Sequence, residues 1–166
     1  HLQPDVVATP RTADKVVFFT KESPLSNHHI CNFTVDNVAY NCEEQHLMHQ
    51  KAMHFGDTDT AAKIMQEANP GYQKQLGKQV TGFDLQAWRA AAPDVLRRGV
   101  KAKFSQVEHC RNFLTNYVGK RKIGEANPND HFFGIGMSVM DKNVWDDKKW
   151  SNNLLGKVLE EVRDEL

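Results

Sequence analysis

Glu44 and Lys51 are the residues whose types and spacing most directly suggest chemistry. At 100° per residue, Glu44, Leu47, Met48, Lys51 and Phe55 fall on one side of a helix predicted from about Glu43 to Phe55. A stripe that should be apolar therefore carries a carboxylate and an amine. Burying either group unpaired is costly, so such groups are held by partners or line a cleft where desolvation tunes them for proton transfer. Seven residues separate them by about 10 Å along the axis, too far for an i,i+4 pair and far enough for a substrate to lie across both. The plainer alternative is a first-turn Glu44 favoured by the helix dipole and a Lys51 whose amine reaches water along its stem. Periodicity alone leaves both readings open.

Other polar residues carry the same two readings. Asp130, in Asn127-Pro128-Asn129-Asp130, is a catalytic or ribose-binding carboxylate or a turn residue. Asn153, before Leu154-Leu155-Gly156, binds substrate or caps a helix. Trp88 stacks on a base or ribose, or packs in the core beside Leu85 and Ala92. His28, His29, Cys31, Cys42, His46 and His49 are of metal-ligating types, but they contain neither Cys-x-x-Cys nor His-Glu-x-x-His. His46 and His49 also project away from the Glu44 face, so structural or exposed histidines are expected and no metal. Arg97, Arg98, Lys101, Lys103, Lys120, Arg121 and Lys122 concentrate positive charge that meets phosphates or coats solvated helix faces. There is no glycine-rich phosphate loop, and Gly134-Ile135-Gly136 lacks the rest of a dinucleotide fingerprint, so no cofactor is expected.

These residues must be positioned by a chain of 166 residues, about the length of one domain. Its 21 basic and 21 acidic residues cancel, which excludes a molecule-wide positive field for nucleic acid and leaves local patches. Three cysteines without a close-spaced pair exclude a full disulfide framework and favour a reducing compartment, cytoplasm or nucleus. No apolar run reaches the roughly 20 residues of a membrane span and no secretory signal is evident, so a soluble protein is expected.

Residues 1–14, with Pro4 and Pro10 and no apolar period, read as a flexible extension before a domain of residues 15–166. A buried strand is predicted at Lys15–Thr20 and a hairpin at Phe33–Tyr40 around Asp36-Asn37. Helices follow at Glu43–Phe55 and Thr58–Ala68, with a helical turn at Gly71–Leu76. Asp84 caps a helix through Trp88, Pro93 opens the next, and Val107–Tyr117 continues the helical pattern. Lys122–Glu125 reads as a short strand, residues 127–136 as irregular, and Asn153–Leu166 as a core-packing helix. The fold class is α+β, a compact and predominantly helical single domain with a few short strands.

Read in order, Phe18-Phe19, Leu25-Ser26-Asn27, Tyr40, Glu44-x6-Lys51-Ala52, Phe55, Gly77-Lys78, Trp88, Lys103-Phe104, Asp130, Gly134-x-Gly136 and Asn153-x-Leu155-Gly156 resemble the NADAR family. The resemblance spans about Val16 to Leu166. It implies a compact, mostly helical α+β domain and an N-glycoside hydrolase acting on ribose attached to an exocyclic ring amine. One branch of the family cleaves ribosylamino-pyrimidine intermediates of riboflavin synthesis, and another removes ADP-ribose from guanine in DNA. It further implies Glu44, Lys51 and Asp130 as catalytic residues, and Ser26, Asn27, Lys78, Trp88, Phe133, Gly134 and Asn153 as substrate-binding ones. The chain departs from the family pattern at His28, Lys78 and Phe133, where phenylalanine, arginine and tryptophan are frequent. Lysine does not reproduce arginine's bidentate fork, so the departures bear on substrate choice.

Under that resemblance Glu44 is the acid or base, while Lys51 attacks C1 of ribose or acts as a charge. ADP-ribosylated guanine in DNA is the substrate expected first, a ribosylamino-pyrimidine phosphate the second. A module that binds ADP-ribose without hydrolysis is the alternative of another class.

Overall fold

The computed structural model describes residues 2–166. In chain order its elements are α1 (Pro4–Val7), β1 (Lys15–Phe18), β2 (Phe33–Val35), β3 (Val38–Tyr40), α2 (Glu43–His54), α3 (Thr58–Gln66), α4 (Pro70–Gly77), α5 (Leu85–Gln106), α6 (Glu108–Asn112), β4 (Lys122–Glu125) and α7 (Leu154–Glu165). A π-helical turn at Phe113–Val118 and a 3-10 turn at Asp147–Lys149 complete the set. The architecture is α+β, predominantly helical with a few short strands, as the periodicities lead one to expect. The elements sort into two compact units, a continuous one, Ile30–Val107, and a split one that joins the segment ending at His29 to Glu108–Leu166.

In the continuous unit, β2 and β3 pair antiparallel with Phe33 opposite Tyr40 and Val35 opposite Val38. Their turn residues Asp36 and Asn37 have φ of 50° and 66°, the left-handed pair that matches the twist of a two-residue hairpin. Helices α3, α4 and α5 each start on a side-chain cap, whereas α2 has none. Asp57 accepts from the Thr60 N–H at 3.0 Å, Asn69 from the Gly71 N–H at 2.8 Å with Pro70 in the first turn, and Asp84 from the Ala87 N–H at 2.8 Å.

Pro93 does not open a new helix. It lies inside α5, which runs unbroken for 22 residues. A proline inside a helix costs about 3 kcal/mol. The apolar stripe Trp88, Ala92, Val95, Leu96, Val100 and Phe104 is buried on both sides of it, and that continuous burial outweighs the lost hydrogen bond.

In the split unit, β1 and β4 pair in parallel, Lys15 with Lys122 through Phe18 with Glu125. Val17, Ala126, Ile135 and Val144 form a core patch against which Met137, Val139, Trp145 and Trp150 pack. On α7, Leu154, Leu155, Val158, Leu159 and Val162 are buried, the face its sequence periodicity marks. The N-terminal segment differs from the flexible extension expected of it. Pro4–Val7 make a helical turn and Thr9 is fully buried, its hydroxyl donating to Ser23 Oγ at 2.7 Å. The Tyr117 hydroxyl donates to the Thr9 carbonyl at 2.7 Å, and the Arg11 guanidinium sits 4.2 Å over the Tyr117 ring. Hydrogen bonds anchor this segment, and apolar periodicity does not register them; His1 lies outside the described residues.

All three cysteines are buried. Among the described residues no helix is long and apolar enough to cross a membrane.

Candidate active site

The first two turns of α2 are buried on every side, from Glu43 through Met48. Glu43 and His46 are each wholly shielded from solvent, and His46 Nδ1 lies 3.0 and 3.1 Å from the two Glu43 carboxylate oxygens. Gly99 of α5 makes room for this pair, since a Cβ there would overlap the Glu43 carboxylate. Burial pushes the Glu43 carboxyl up, while His46 and Lys103 act in the opposite direction. Lys103 neither coats a solvated face nor lies open to a phosphate: it is 1% exposed with Nζ 5.0 Å from the Phe104 ring centre. Burial also raises the neighbouring Cys42 thiol, to about 12, which leaves it an inert thiol. The deep end of α2 is thus a packed ionisable cluster.

The far end of the same helix is more open. Lys51, two turns on from the buried Glu44 of the deep end, is half-buried with its Nζ 4.5 Å from the Phe83 ring centre. Phe83 meets Phe55 edge to face at 5.4 Å, His54 packs edge-on against Phe55 at 4.9 Å, and the His54 ring lies 6.4 Å from that of Trp88. Burial lowers the Lys51 ammonium pKa, Glu44 opposes that shift, and the exposed Lys78 adds to it. Glu44 and Lys78 therefore both act electrostatically on Lys51. Gly77, next to Lys78, has no room for a Cβ against Met48, so the glycine lets α4 lie close on α2.

Phe83 stands in a loop, where no periodicity marks it in the sequence. Its only cue was an aromatic residue between Gly82 and the cap Asp84. A shallow groove of about 300 Å³ on this unit, lined by Tyr40, Asn41, Gln45, Met65 and Glu67 among others, includes neither Glu44 nor Lys51.

The remaining predicted site residues belong to the split unit. Ser26 and Asn27 are buried, and Ser26 Oγ accepts from the His28 N–H at 3.1 Å. Asp130 accepts from the N–H groups of Phe132 and Phe133 at 3.0 and 2.8 Å through one oxygen, which sets the turn. Phe133 lies edge to face with Phe132 at 5.0 Å, and Gly134 has no space for a Cβ against the Glu125 and Asp130 carbonyls.

Asn153 occupies the N-cap position of α7 in the left-handed region, φ 52°, without a side-chain cap bond. Its amide instead donates to the Ile123 carbonyl at 2.8 Å and accepts from the Glu125 N–H at 3.2 Å, while its own N–H donates to Gly134 O at 2.9 Å. Both ends of the side chain are engaged by the β4 main chain, so it holds β4, the Gly134 loop and the start of α7 together.

Much of the basic concentration is internally matched. Arg98 pairs with Asp94 at 3.3 Å and Asp36 at 3.5 Å, and Lys122 with Asp147 at 3.1 Å. The Arg121 guanidinium donates to the Thr12 carbonyl at 2.7 Å and to that of Tyr117 at 3.3 Å.

Known proteins bear on this arrangement. The solution structure of the E. coli protein YbiA shares the fold, with a TM-score of 0.74 at 20% identity, over 98% of this chain and 90% of that one. Protein irg-1 of Caenorhabditis elegans is 35% identical over 177 residues, spanning 96% of this chain and 83% of that protein. The protein of Acanthamoeba polyphaga mimivirus named N-glycosidase R617 is 35% identical over 127 residues, 76% of this chain and 74% of its own. The family model described as the NADAR domain matches residues 17–166, and with these relatives it shows that the chain belongs to the NADAR family.

Proposed function

We propose that this protein is an N-glycoside hydrolase that removes ADP-ribose from the exocyclic amine of guanine in DNA. The observation that carries the reading is the half-buried Lys51 amine, its pKa lowered by burial, two turns along the same helix from the buried Glu44 carboxyl whose charge acts on it. A mimivirus relative named as an N-glycosidase supports the class of bond.

Glu44 in its acid form donates a proton to the exocyclic nitrogen as the C1–N bond breaks. Its carboxylate then takes a proton from the water that attacks C1, which regenerates the acid. In the covalent variant the ribose ring opens first and neutral Lys51 attacks C1. The base departs as its amine, C1 becomes a lysine imine, and water hydrolyses the imine to free ribose and amine. A lowered lysine pKa serves this variant because only the neutral amine carries the attacking lone pair.

Trp88 and Lys78 are assigned to the sugar or base and to a phosphate. Asp130, Ser26, Asn27, Phe133 and Gly134 keep the substrate-binding or catalytic roles that family membership suggests, and Asn153 acts by positioning the Gly134 loop.

A second reading follows from the internal pairing of Arg98, Arg121 and Lys122, which leaves less positive charge for a DNA backbone. It takes a ribosylamino-pyrimidine phosphate, with a single phosphate to hold. The protein is incubated with ADP-ribosylated guanine in DNA and, separately, with a ribosylamino-pyrimidine phosphate. Release of ADP-ribose supports the first reading, release of the pyrimidine amine alone the second. Tight binding of ADP-ribose without turnover of either would overturn both in favour of a binding module.

A further inference from the structure

The split unit brings His29, His109 and Cys110 together, with one ligand atom from each residue and all three atoms within 4.8 Å of one another. His29 comes from the loop after β1, and His109 and Cys110 from α6, so a chain separation of 80 residues is closed at this point. No spacing motif announces the cluster, because its members are distant in sequence. The metal-type residues that stand out in the sequence, between His28 and His49, contribute only His29.

The geometry approaches that of a coordination shell. His29 Nε2 and His109 Nε2 are 2.9 Å apart, and Cys110 Sγ is 3.5 Å from His109 Nε2. In a tetrahedral zinc site with Zn–N of about 2.0–2.1 Å and Zn–S of about 2.3 Å, ligand atoms lie about 3.3 to 3.6 Å apart. The separation of Cys110 Sγ from His109 Nε2 already fits, the two nitrogens need to open by about half an ångström, and Cys110 Sγ lies within 4.8 Å of the His29 ligand atom. His29 is also oriented as a ligand should be. Its Nδ1 lies 2.8 Å from the Lys21 carbonyl oxygen, an arrangement in which Nδ1–H donates and the Nε2 lone pair turns toward His109. Two imidazole nitrogens facing each other at 2.9 Å need a proton or a cation between them.

We propose that His29, His109 and Cys110 form a site for a late first-row divalent cation, with zinc the best match to two imidazoles and one thiolate. On binding, Cys110 releases its thiol proton to solvent and forms the metal–sulfur bond. The proton on His109 Nε2 passes to Nδ1, which frees Nε2 for the metal. Three protein ligands leave one tetrahedral position for water or another small ligand.

The test uses the whole protein, stripped with a chelator and titrated with Zn²⁺ against a chromophoric competitor, and in parallel with Co²⁺. One zinc per chain is expected, with a thiolate-to-cobalt charge-transfer band and a zinc-dependent rise in Tm. His109→Ala, at an exposed position, should weaken zinc binding by at least the 10–100-fold that loss of an outer-shell partner costs. Cys110→Ser should abolish the charge-transfer band. Should Cys110→Ser fail to fold, His29→Gln takes its place, with the loss read in zinc affinity. Absence of stoichiometric zinc binding, or binding unchanged in His109→Ala and His29→Gln, overturns the proposal. None of these readouts depends on glycoside hydrolysis, so the outcome is independent of the proposed activity.

Discussion

The two ends of α2 carry ionisable groups in different settings. At the deep end, Glu43 and His46 are completely buried, bonded to each other, and accommodated by a glycine in the neighbouring helix. At the other end Lys51 is half-exposed beneath an aromatic ring, with Glu44 opposing its loss of charge. The first arrangement is a closed structural pair, while the second holds an amine partly desolvated and within reach of a ligand. Burial of charge alone therefore does not mark a reactive site; partial access combined with a perturbed amine is the more telling sign.

The contrast is broken most forcefully at the buried Glu44, next to Glu43 in sequence, and at the half-buried Lys51 two turns on. Glu44→Gln and Lys51→Ala are each expected to lower turnover by about 10²–10⁴-fold with little change in Tm. Rates near normal in both would end the catalytic assignment. Borohydride reduction during turnover should trap an adduct on Lys51, and an active enzyme that never yields one limits Lys51 to an electrostatic role.

At the deep end the readout moves from rate to stability. Gly99→Ala places a methyl group on the Glu43 carboxylate and should cost about 1–3 kcal/mol in denaturant unfolding. An unchanged midpoint would show that the pair has slack.

The pH dependence separates the two ends further. Glu43 has its carboxyl pKa raised in the fold, so its favourable contribution is fully present below the unfolded value and is lost as pH rises through the folded one. Glu43→Gln removes that titration, and the stability of the variant relative to the parent should improve as pH is raised above about 4.5. A stability difference flat with pH would contradict the raised value.

The smallest effect is expected at Phe83. Phe83→Leu removes the ring that favours the Lys51 ammonium, a contribution of about 0.5–1 kcal/mol, and so lowers the lysine pKa further. The pH profile of kcat/KM should move to lower pH if neutral Lys51 attacks, and stay in place if it does not.

Local signals in the sequence foreshadow much of the fold. The Asp36-Asn37 hairpin, the Asp84 cap and the apolar face of α7 are legible because turn chemistry, capping and periodicity act within a few residues. The continuity of α5 through Pro93 was not legible, since burial along its whole length overrides the local penalty. Lys103 looked like a surface charge for the same reason, as nothing local distinguishes a buried lysine from a solvated one. At the candidate site, α2 periodicity exposed Glu44 and Lys51, but Phe83 and Gly99 come from elsewhere in the chain and have no periodic signature. The bracing role of Asn153 depends on β4 residues about 30 positions away.

The parallel pairing of β1 with β4 has a consequence for the order of folding. Lys15 faces Lys122, so the pair closes a loop that contains the whole continuous unit. Such a closure carries a large entropic cost until the intervening chain has collapsed, whereas the hairpin and helices of Ile30–Val107 form from nearer neighbours. Refolding should therefore begin with the inserted segment and shorten the effective distance between the two strands. Pulse-labelled hydrogen exchange is expected to protect amides of α2 and α5 before those of β1 and β4, and the reverse order would contradict this sequence of events. The split unit would then be the last part of the protein to acquire its structure, since both of its segments must wait for the chain between them to collapse.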